Sequence, residues 1–368
     1  MSENLTWSSQ QEQALAQVKT WLRDSSAPQV FRLFGYAGTG KTTLAKEIAD
    51  MVGGKIIYGA FTGKAASVLR KKGCKDARTI HSMIYTLKLV DEGDPVFVLN
   101  ADSDVKSASL VVIDECSMVD EFIGNDLLSF GTKILVLGDP AQLPPVKGAG
   151  FFTSQEPNIL LTEVHRQATE NPIIALSMKI RNGERIEVGS YGDSKVIRRK
   201  DLIPEIVMQA DQVIVGRNIT RESYNARMRT LLGRLSTAPV QGDKLICLRN
   251  DRKAGFFNGT TWEAVKVKRH KGKYNLRIDS LDESGIKGKK ARVLTGFFDG
   301  SSAEYDWKAK KNTQEFTYGY AITCHKSQGS QWNNVTVFDE SAYFRESERS
   351  WLYTAVTRSA ERLTLVLN

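Results

Sequence analysis

Cysteine is scarce in this chain: four residues in 368, Cys74, Cys116, Cys247 and Cys324, all far apart. No C-x-x-C pair occurs, and none of the four histidines lies three to five residues from another. A disulfide framework and a zinc site are therefore not expected, and a reducing compartment fits. No run of 18 apolar residues is present, and Met1 to Gln10 lacks the apolar core of a signal peptide. The expectation is a soluble chain with no membrane partner. Internal repeats, low-complexity tracts and a metal-dependent nuclease cluster are also missing. Acidic residues are the minority charge, 42 against 51 Lys and Arg, which leaves a net charge of +9. That excess favours polyanions, chiefly nucleic acid, without specifying one. Five of the cations crowd into Lys266 to Lys273, where Val265 and Val267 alternate with them as on a solvated strand face.

What is present centres on Phe31 to Thr43. An apolar run ends in Gly35, and Gly35 to Thr42 fits the pattern G-x-x-x-x-G-K-[ST]. Without Cβ atoms, Gly38 and Gly40 let the N–H groups of Gly38, Thr39, Gly40, Lys41, Thr42 and Thr43 close on a phosphate chain. Lys41 can reach β- and γ-phosphates, and the Thr42 hydroxyl can ligate Mg²⁺. Leu44, Ala45, Ile48, Ala49 and Val52 then recur at helical spacing before Gly53-Gly54. A strand, a glycine turn and a helix in that order make a nucleoside triphosphate site, with ATP and Mg²⁺ as its occupants.

Further apolar strands are expected at Lys55 to Phe61, Ser109 to Ile113, Lys133 to Leu137, Gln212 to Val215, Asn334 to Phe338 and Leu363 to Leu367, with helical patterns between several of them. This alternation predicts α/β architecture with parallel sheets and working loops at the strand C-termini. Leu87 to Val90 and Val96 to Leu99 flank the turn residues Asp91 to Pro95 and predict a hairpin insertion. From Gly242 to Lys311 the texture changes to short strands, Lys244 to Leu248, Thr261 to Lys268, Tyr274 to Ile278 and Arg292 to Phe298, which predict an inserted β-barrel. Asp114 and Glu115 close a buried strand, so Asp114 can hold Mg²⁺ through its water shell and Glu115 can deprotonate an attacking water. After the next strand, Gln142 can bond both the γ-phosphate and that water.

The order of these motifs resembles the superfamily 1 helicases, in the RecD-like and phage Dda-like branch. Further matches are Thr62 to Ala66, Thr79-Ile80-His81, Asp114 to Met118, Leu161 to Gln167, Ala321 to Gly329 and Tyr353 to Arg358. The resemblance implies two RecA-like lobes with ATP between them. Lobe 1A would span 1–165, with a pin-hairpin insertion 1B at about 84–106. Lobe 2A would span 166–241 and 312–368, with an SH3-like insertion 2B at 242–311. Gln11, or its neighbour Gln10, would read the adenine. Arg166 and Arg358 would be arginine fingers, and Gln328 and Gly329 would join the γ-phosphate side.

By the same resemblance, Thr62, Lys64, Thr79 and His81 on the first lobe, and Thr323, His325 and Ser327 on the second, would hold single-stranded DNA. His81 also reads as a capping or core histidine, and Lys64 as a solvated helix charge. Phe97 would stack on the junction base pair and separate strands, or pack the hairpin onto the core. The function implied is an ATP-dependent 5′→3′ DNA helicase acting on single strands and on forked or tailed duplex. It would be a monomer, with replication or recombination proteins as further partners. An RNA helicase, or an ATP-gated single-strand remodeller without unwinding, stays open. The expected location is intracellular and cytoplasmic, nucleoid-associated or in a phage-infected cell.

Overall fold

A computed structural model describes residues 7–88, 96–145, 150–164, 170–251, 254–283 and 285–368. The described residues build a parallel sheet, a second sheet parallel but for one edge strand, a five-stranded antiparallel sheet and a two-stranded antiparallel hairpin. Strands β1 (Val30–Gly35), β2 (Ile56–Ala60), β3 (Arg78–Thr79), β6 (Leu110–Asp114), β7 (Ile134–Gly138) and β8 (Ile159–Leu161) form the first sheet, in the order β3-β2-β6-β7-β1-β8. All its pairings are parallel. Such a sheet is covered on both faces, so its strands are apolar throughout. In β6, Val111 and Ile113 enter one core with Ile57 and Phe152, whereas Leu110 and Val112 enter another with Val18, Leu44 and Ile48.

Because β7 lies between β6 and β1, three strand ends stand side by side: Gly35, Gly138 and Asp114. This is where the phosphate loop, Asp139 and the acidic pair meet. Helices α1 (Ser9–Arg23), α2 (Lys41–Met51) and α3 (Gly63–Lys71) belong to this lobe.

Strands β4 (Tyr85–Lys88) and β5 (Val96–Leu99) are an antiparallel pair with Leu87 opposite Phe97. The pairing starts two residues before the expected Leu87, and the turn Asp91 to Pro95 lies outside the described residues.

The second lobe carries β9 (Gly189–Tyr191), β10 (Ser194–Arg198), β11 (Gln212–Val215), β17 (Ala321–Thr323), β18 (Trp332–Phe338) and β19 (Ser359–Leu367). Their order is β17-β11-β18-β19-β10-β9, parallel except for β9. Between β11 and β17 the chain leaves to form a five-stranded antiparallel sheet, β15-β14-β13-β12-β16. Its strands are β12 (Lys244–Cys247), β13 (Thr261–His270), β14 (Lys273–Ser280), β15 (Lys289–Leu294) and β16 (Phe316–Tyr318).

Two expectations need correction here. The sheet runs beyond the expected boundary at Lys311, because Phe316 to Tyr318 pairs with β12. The expected strand Arg292 to Phe298 ends at Leu294, and Phe297 and Phe298 lie in a short helical turn, Gly296–Asp299. There Phe298 packs between Tyr274 and Tyr318, with ring centroids 5.6 and 5.2 Å away, and that packing turns the chain inward. The lobe boundary expected at 165/166 falls outside the described residues. Among the described residues no helix is long and apolar enough to cross a membrane.

Candidate functional site

At the end of β1 the backbone of Gly38 and Gly40 is left-handed, with φ of 81° and 78°. Gly40 caps α2 without a side chain, so the first-turn N–H groups stay open toward the cleft. At Gly35, a Cβ would stand 2.6 Å from Thr39 Oγ1 and 2.9 Å from Leu161 Cβ, so only glycine fits. The Lys41 ammonium is folded back, donating to the carbonyls of Gly35 at 2.6 Å and Tyr36 at 2.9 Å. Thr42 Oγ1 lies 3.3 Å from Asp114 Oδ2. Thr43 is exposed on the first turn of α2.

Of the two glutamines, Gln11 is the one at the loop. It is buried, completes a capping box with Ser8, and donates from Nε2 to Thr39 O at 3.1 Å. Gln10 instead accepts the N–H groups of Thr162 and Glu163 at 2.8 and 3.0 Å.

Burial, and then the neighbouring Glu115, push the Asp114 carboxyl above its ordinary pKa. Glu115 itself has left-handed backbone, φ 54° and ψ 47°, a conformation that costs a non-glycine residue about 1–3 kcal/mol. That strain aims its carboxylate across the cleft, where Oε1 is 4.0 Å from the Arg358 guanidinium. Arg358 comes from the second lobe and is held by the carbonyls of Thr354 at 3.0 Å and Ser330 at 3.3 Å.

Lys41, Thr42, Asp114, Glu115, Gln142, Gly329 and Arg358 thus line one interlobe cleft of about 200 Å³, beside Gly38. Arg166 lies outside the described residues. Gln142 Oε1 and Gln328 Oε1 are buried and have no hydrogen-bond partner among the described residues. An unpaired buried acceptor of this kind calls for a missing donor such as a positioned water. The hydroxyl and carboxylate of Thr42 and Asp114 are hard oxygen donors, as Mg²⁺ requires when phosphates and water supply its other ligands. No cluster of three or more His, Cys, Asp or Glu with metal-binding geometry occurs among the described residues. The site fits a magnesium triphosphate.

The structure adds residues that motif reading passed over. Tyr353 hydroxyl accepts the Ala37 N–H at 2.9 Å and donates to Asp139 Oδ2 at 2.7 Å. Thr354 Oγ1 accepts the Leu143 N–H at 2.8 Å, and Gln328 Nε2 donates to Leu143 O at 2.7 Å. Arg181 stacks its guanidinium 3.7 Å from the Tyr36 ring centroid. Asp139, Tyr353 and Thr354 stand inside motifs already visible in the sequence, whereas Arg181 has no such signal.

The polynucleotide residues are dispersed. Thr62 caps α3 through the Ala65 N–H at 3.1 Å, and with Phe61, His81 and Phe97 it lines a groove of about 1390 Å³. The opposite wall belongs to the insertion and includes Arg249, Asn250, Asn258 and Lys310. His81 packs its ring 6.0 Å from Phe61, 5.7 Å from Tyr85 and 6.3 Å from Phe97, and burial lowers its pKa. Phe97 remains 65% exposed.

Lys64 is neither in this groove nor a solvated helix charge. It is buried, 2.8 Å from Asp282 and 4.3 Å from the Trp332 ring centroid, and burial lowers its pKa despite the Asp282 charge. Thr79 is buried as well. On the second lobe, Thr323 caps the short helix Cys324–Ser327, and Ser327 is fully buried, donating to Cys324 O at 2.7 Å. His325 is half-buried 5.7 Å from Phe344, with its pKa lowered by burial. Local helix geometry uses the Thr323 and Ser327 hydroxyls, and of the seven residues Thr62 and His81 line the groove.

Residues 6–201 match the family described as AAA domain, and residues 318–366 match the UvrD-like helicase C-terminal domain. The chain is 30% identical over 346 residues to the ATP-dependent RecD2 DNA helicase of Deinococcus radiodurans, covering 90% of this chain and 46% of that one. It is 34% identical over 165 residues to the ATP-dependent DNA helicase dda of Enterobacteria phage T4, covering 41% of this chain and 37% of that one. It therefore spans less than half the length of either relative. The crystal structure of Pif1 helicase from Bacteroides in complex with ADP-AlF3 and ssDNA shares the two-lobe fold. Its TM-score is 0.58 at 19% identity, over 98% of this chain and 92% of that one. With more than half of the chain inside the first match and the helicase motifs in order around one interlobe cleft, the chain belongs to the AAA-domain helicases of superfamily 1, in the group of RecD, Pif1 and Dda.

Proposed function

We propose that this chain is an ATP- and Mg²⁺-dependent DNA helicase that translocates 5′→3′ on single strands. The observation that carries the reading is the cleft itself, where Lys41, Thr42, Asp114 and Glu115 of one lobe face Arg358 of the other. Lys41 would leave the Gly35 and Tyr36 carbonyls for the β- and γ-phosphates. Bound by Thr42 and Asp114, Mg²⁺ would neutralise charge on those phosphate oxygens. Glu115 would take the proton of the attacking water, with Gln142 Oε1 orienting that water. Arg358 would stabilise charge on the transferred group, a role worth ~10³–10⁵ in rate. Since the Glu115–Arg358 contact spans both lobes, a γ-phosphate between them would draw the lobes together and its loss would release them.

The strand would lie in the groove between Thr62, His81 and Phe97 and the insertion, read here as SH3-like. Phe97, exposed beside the hairpin turn, would serve as the separating pin, since aromatic–base stacking is worth ~1–3 kcal/mol. Forked or tailed duplex would be the working substrate.

The test is unwinding of a 5′-tailed duplex beside 3′-tailed and blunt controls, with ATP and Mg²⁺ and with Lys41→Ala as the hydrolysis-dead control. Only wild-type protein on the 5′-tailed substrate is expected to unwind. Preference for the 3′ tail would reverse the polarity. DNA-stimulated hydrolysis without unwinding would leave a remodeller and remove the pin, and stronger stimulation by RNA would change the substrate.

A further inference from the structure

Over β13 to β15 the five-stranded sheet buries one face and exposes the other, whereas β12 is covered on both. Along β14, Tyr274, Leu276 and Ile278 are buried while Asn275 and Arg277 are exposed. Along β15, Ala291 and Val293 are buried while Lys290 and Arg292 are exposed. This period of two is what a one-sided antiparallel sheet dictates. Register then sets the exposed residues in two rows across three strands. Lys266, Arg277 and Lys290 are direct cross-strand partners in one row, and Lys268, Asn275 and Arg292 in the next.

Five of those six positions are cations, all exposed, and they line an open depression of about 490 Å³. Among the described residues none of the five has an ion-pair partner. Arg292 makes a side-chain hydrogen bond to Asn275 Oδ1 at 3.3 Å. The acidic cross-strand pair on these strands, Glu263 with Asp279, lies beyond a β-bulge between Ala264 and Lys266.

Like charges placed directly opposite one another destabilise a sheet, and a face that served solubility alone would intersperse both signs. The depression is also continuous with the interlobe groove, because Asn312 and Gln314 line both. From this juxtaposition we infer that the two cationic rows are a second nucleic-acid contact. They hold the sugar-phosphate backbone of a segment that passes Asn312 and Gln314 on leaving the groove. The inference rests on the groove being the strand path. Among the described residues no aromatic side chain lines the depression, so the contact reads phosphates and not bases. The same phosphate chemistry is offered by a continuing single strand and by a duplex arm.

The experiment uses the whole chain with Lys266→Ala, Arg277→Ala and Lys290→Ala combined, which removes one row. Salt-dependent affinity is measured for an oligonucleotide of about 8 nucleotides, enough for the groove alone. A several-fold longer single strand and a 5′-tailed duplex are measured in parallel. Affinity for the short oligonucleotide, and its stimulation of ATP hydrolysis, should match wild type. With an extended substrate, the log–log salt slope should become shallower by ~2 for a single strand or nearly 3 for a duplex. Loss confined to the longer single strand assigns the rows to that strand, and loss confined to the tailed duplex assigns them to the duplex arm.

Unchanged slopes on all three substrates would overturn the inference, as would an equal loss on the short oligonucleotide. Lys266→Arg with Lys290→Arg should bind as wild type, and failure of that conservative variant would also count against it. If the short oligonucleotide neither binds wild type nor stimulates its hydrolysis, the groove reading fails separately.

Discussion

The first lobe meets the second lobe in one place and its insertion in another, and the two contacts are built differently. On the ATP side the links are mostly neutral and short: the Tyr353 hydroxyl between Ala37 and Asp139, and Thr354 and Gln328 on the backbone of Leu143. On the α3 side they are charged. Lys64 pairs with Asp282 at 2.8 Å, Ser67 donates to Glu283 at 2.6 Å, and Lys71 donates to the Asp282 carbonyl. A neutral hydrogen bond contributes about 1 kcal/mol net, whereas removing one member of a buried ion pair costs about 3–5 kcal/mol because it strands the other charge. The ATP side is thus cheap to disturb one group at a time, and the α3 side is costly. The difference teaches which contact depends on both of its partners.

The largest expected effect lies on the cheap side. Arg358→Ala removes the second-lobe cation that faces Glu115, and turnover should fall by ~10³–10⁵. Single-strand affinity should persist, since Arg358 is buried among carbonyls of its own lobe. Steady-state hydrolysis with parallel strand-binding measurements checks this. Normal turnover with lost binding would remove the finger role.

Next in size is the costly side. Lys64→Ala should lower stability by about 3 kcal/mol in denaturant unfolding, because Asp282 is left largely buried without its cation. Replacing both partners, Lys64→Met with Asp282→Leu, should recover most of that loss, since an apolar pair of similar volume spares the desolvation. If Lys64→Ala instead keeps stability and weakens strand binding, then Lys64 works on the strand and the contrast between the two contacts collapses.

That outcome bears on how much the sequence discloses. The phosphate loop was legible because its chemistry is written in consecutive residues and enforced by backbone: Gly35 by a collision, Gly38 and Gly40 by left-handed φ. Strands β6, β7 and β11 were legible to within a residue because doubly covered strands are apolar throughout. Lys64 was not, because burial of a helix lysine is decided by Asp282, 218 residues away. Ser327 and Thr323 match a strand-binding pattern, yet their hydroxyls bond within one helical turn, and both outcomes look alike in sequence. The three-residue strand β16 escaped notice because only its pairing with β12 makes it a strand.

The smallest effect tests whether the Tyr353 contact does more than close a gap. Tyr353→Phe keeps the buried ring and removes the hydroxyl that joins Ala37 of the phosphate loop to Asp139. Burial, and then the Asp139 charge, keep that phenol protonated far above its ordinary range, so it is a donor to Asp139 at every working pH. Leaving the Asp139 carboxylate and the Ala37 N–H short of a partner costs about 1–3 kcal/mol. If the link serves only stability, the loss appears in unfolding and turnover is unchanged. If it holds the loop and the Asp139–Leu143 segment in register for hydrolysis, part of the loss moves to the transition state. Turnover would then fall ~10-fold for each 1.4 kcal/mol, with the KM for ATP little changed. The second outcome is expected, because Thr354 and Gln328 hold Leu143 on the same segment and would maintain the lobe contact without the hydroxyl.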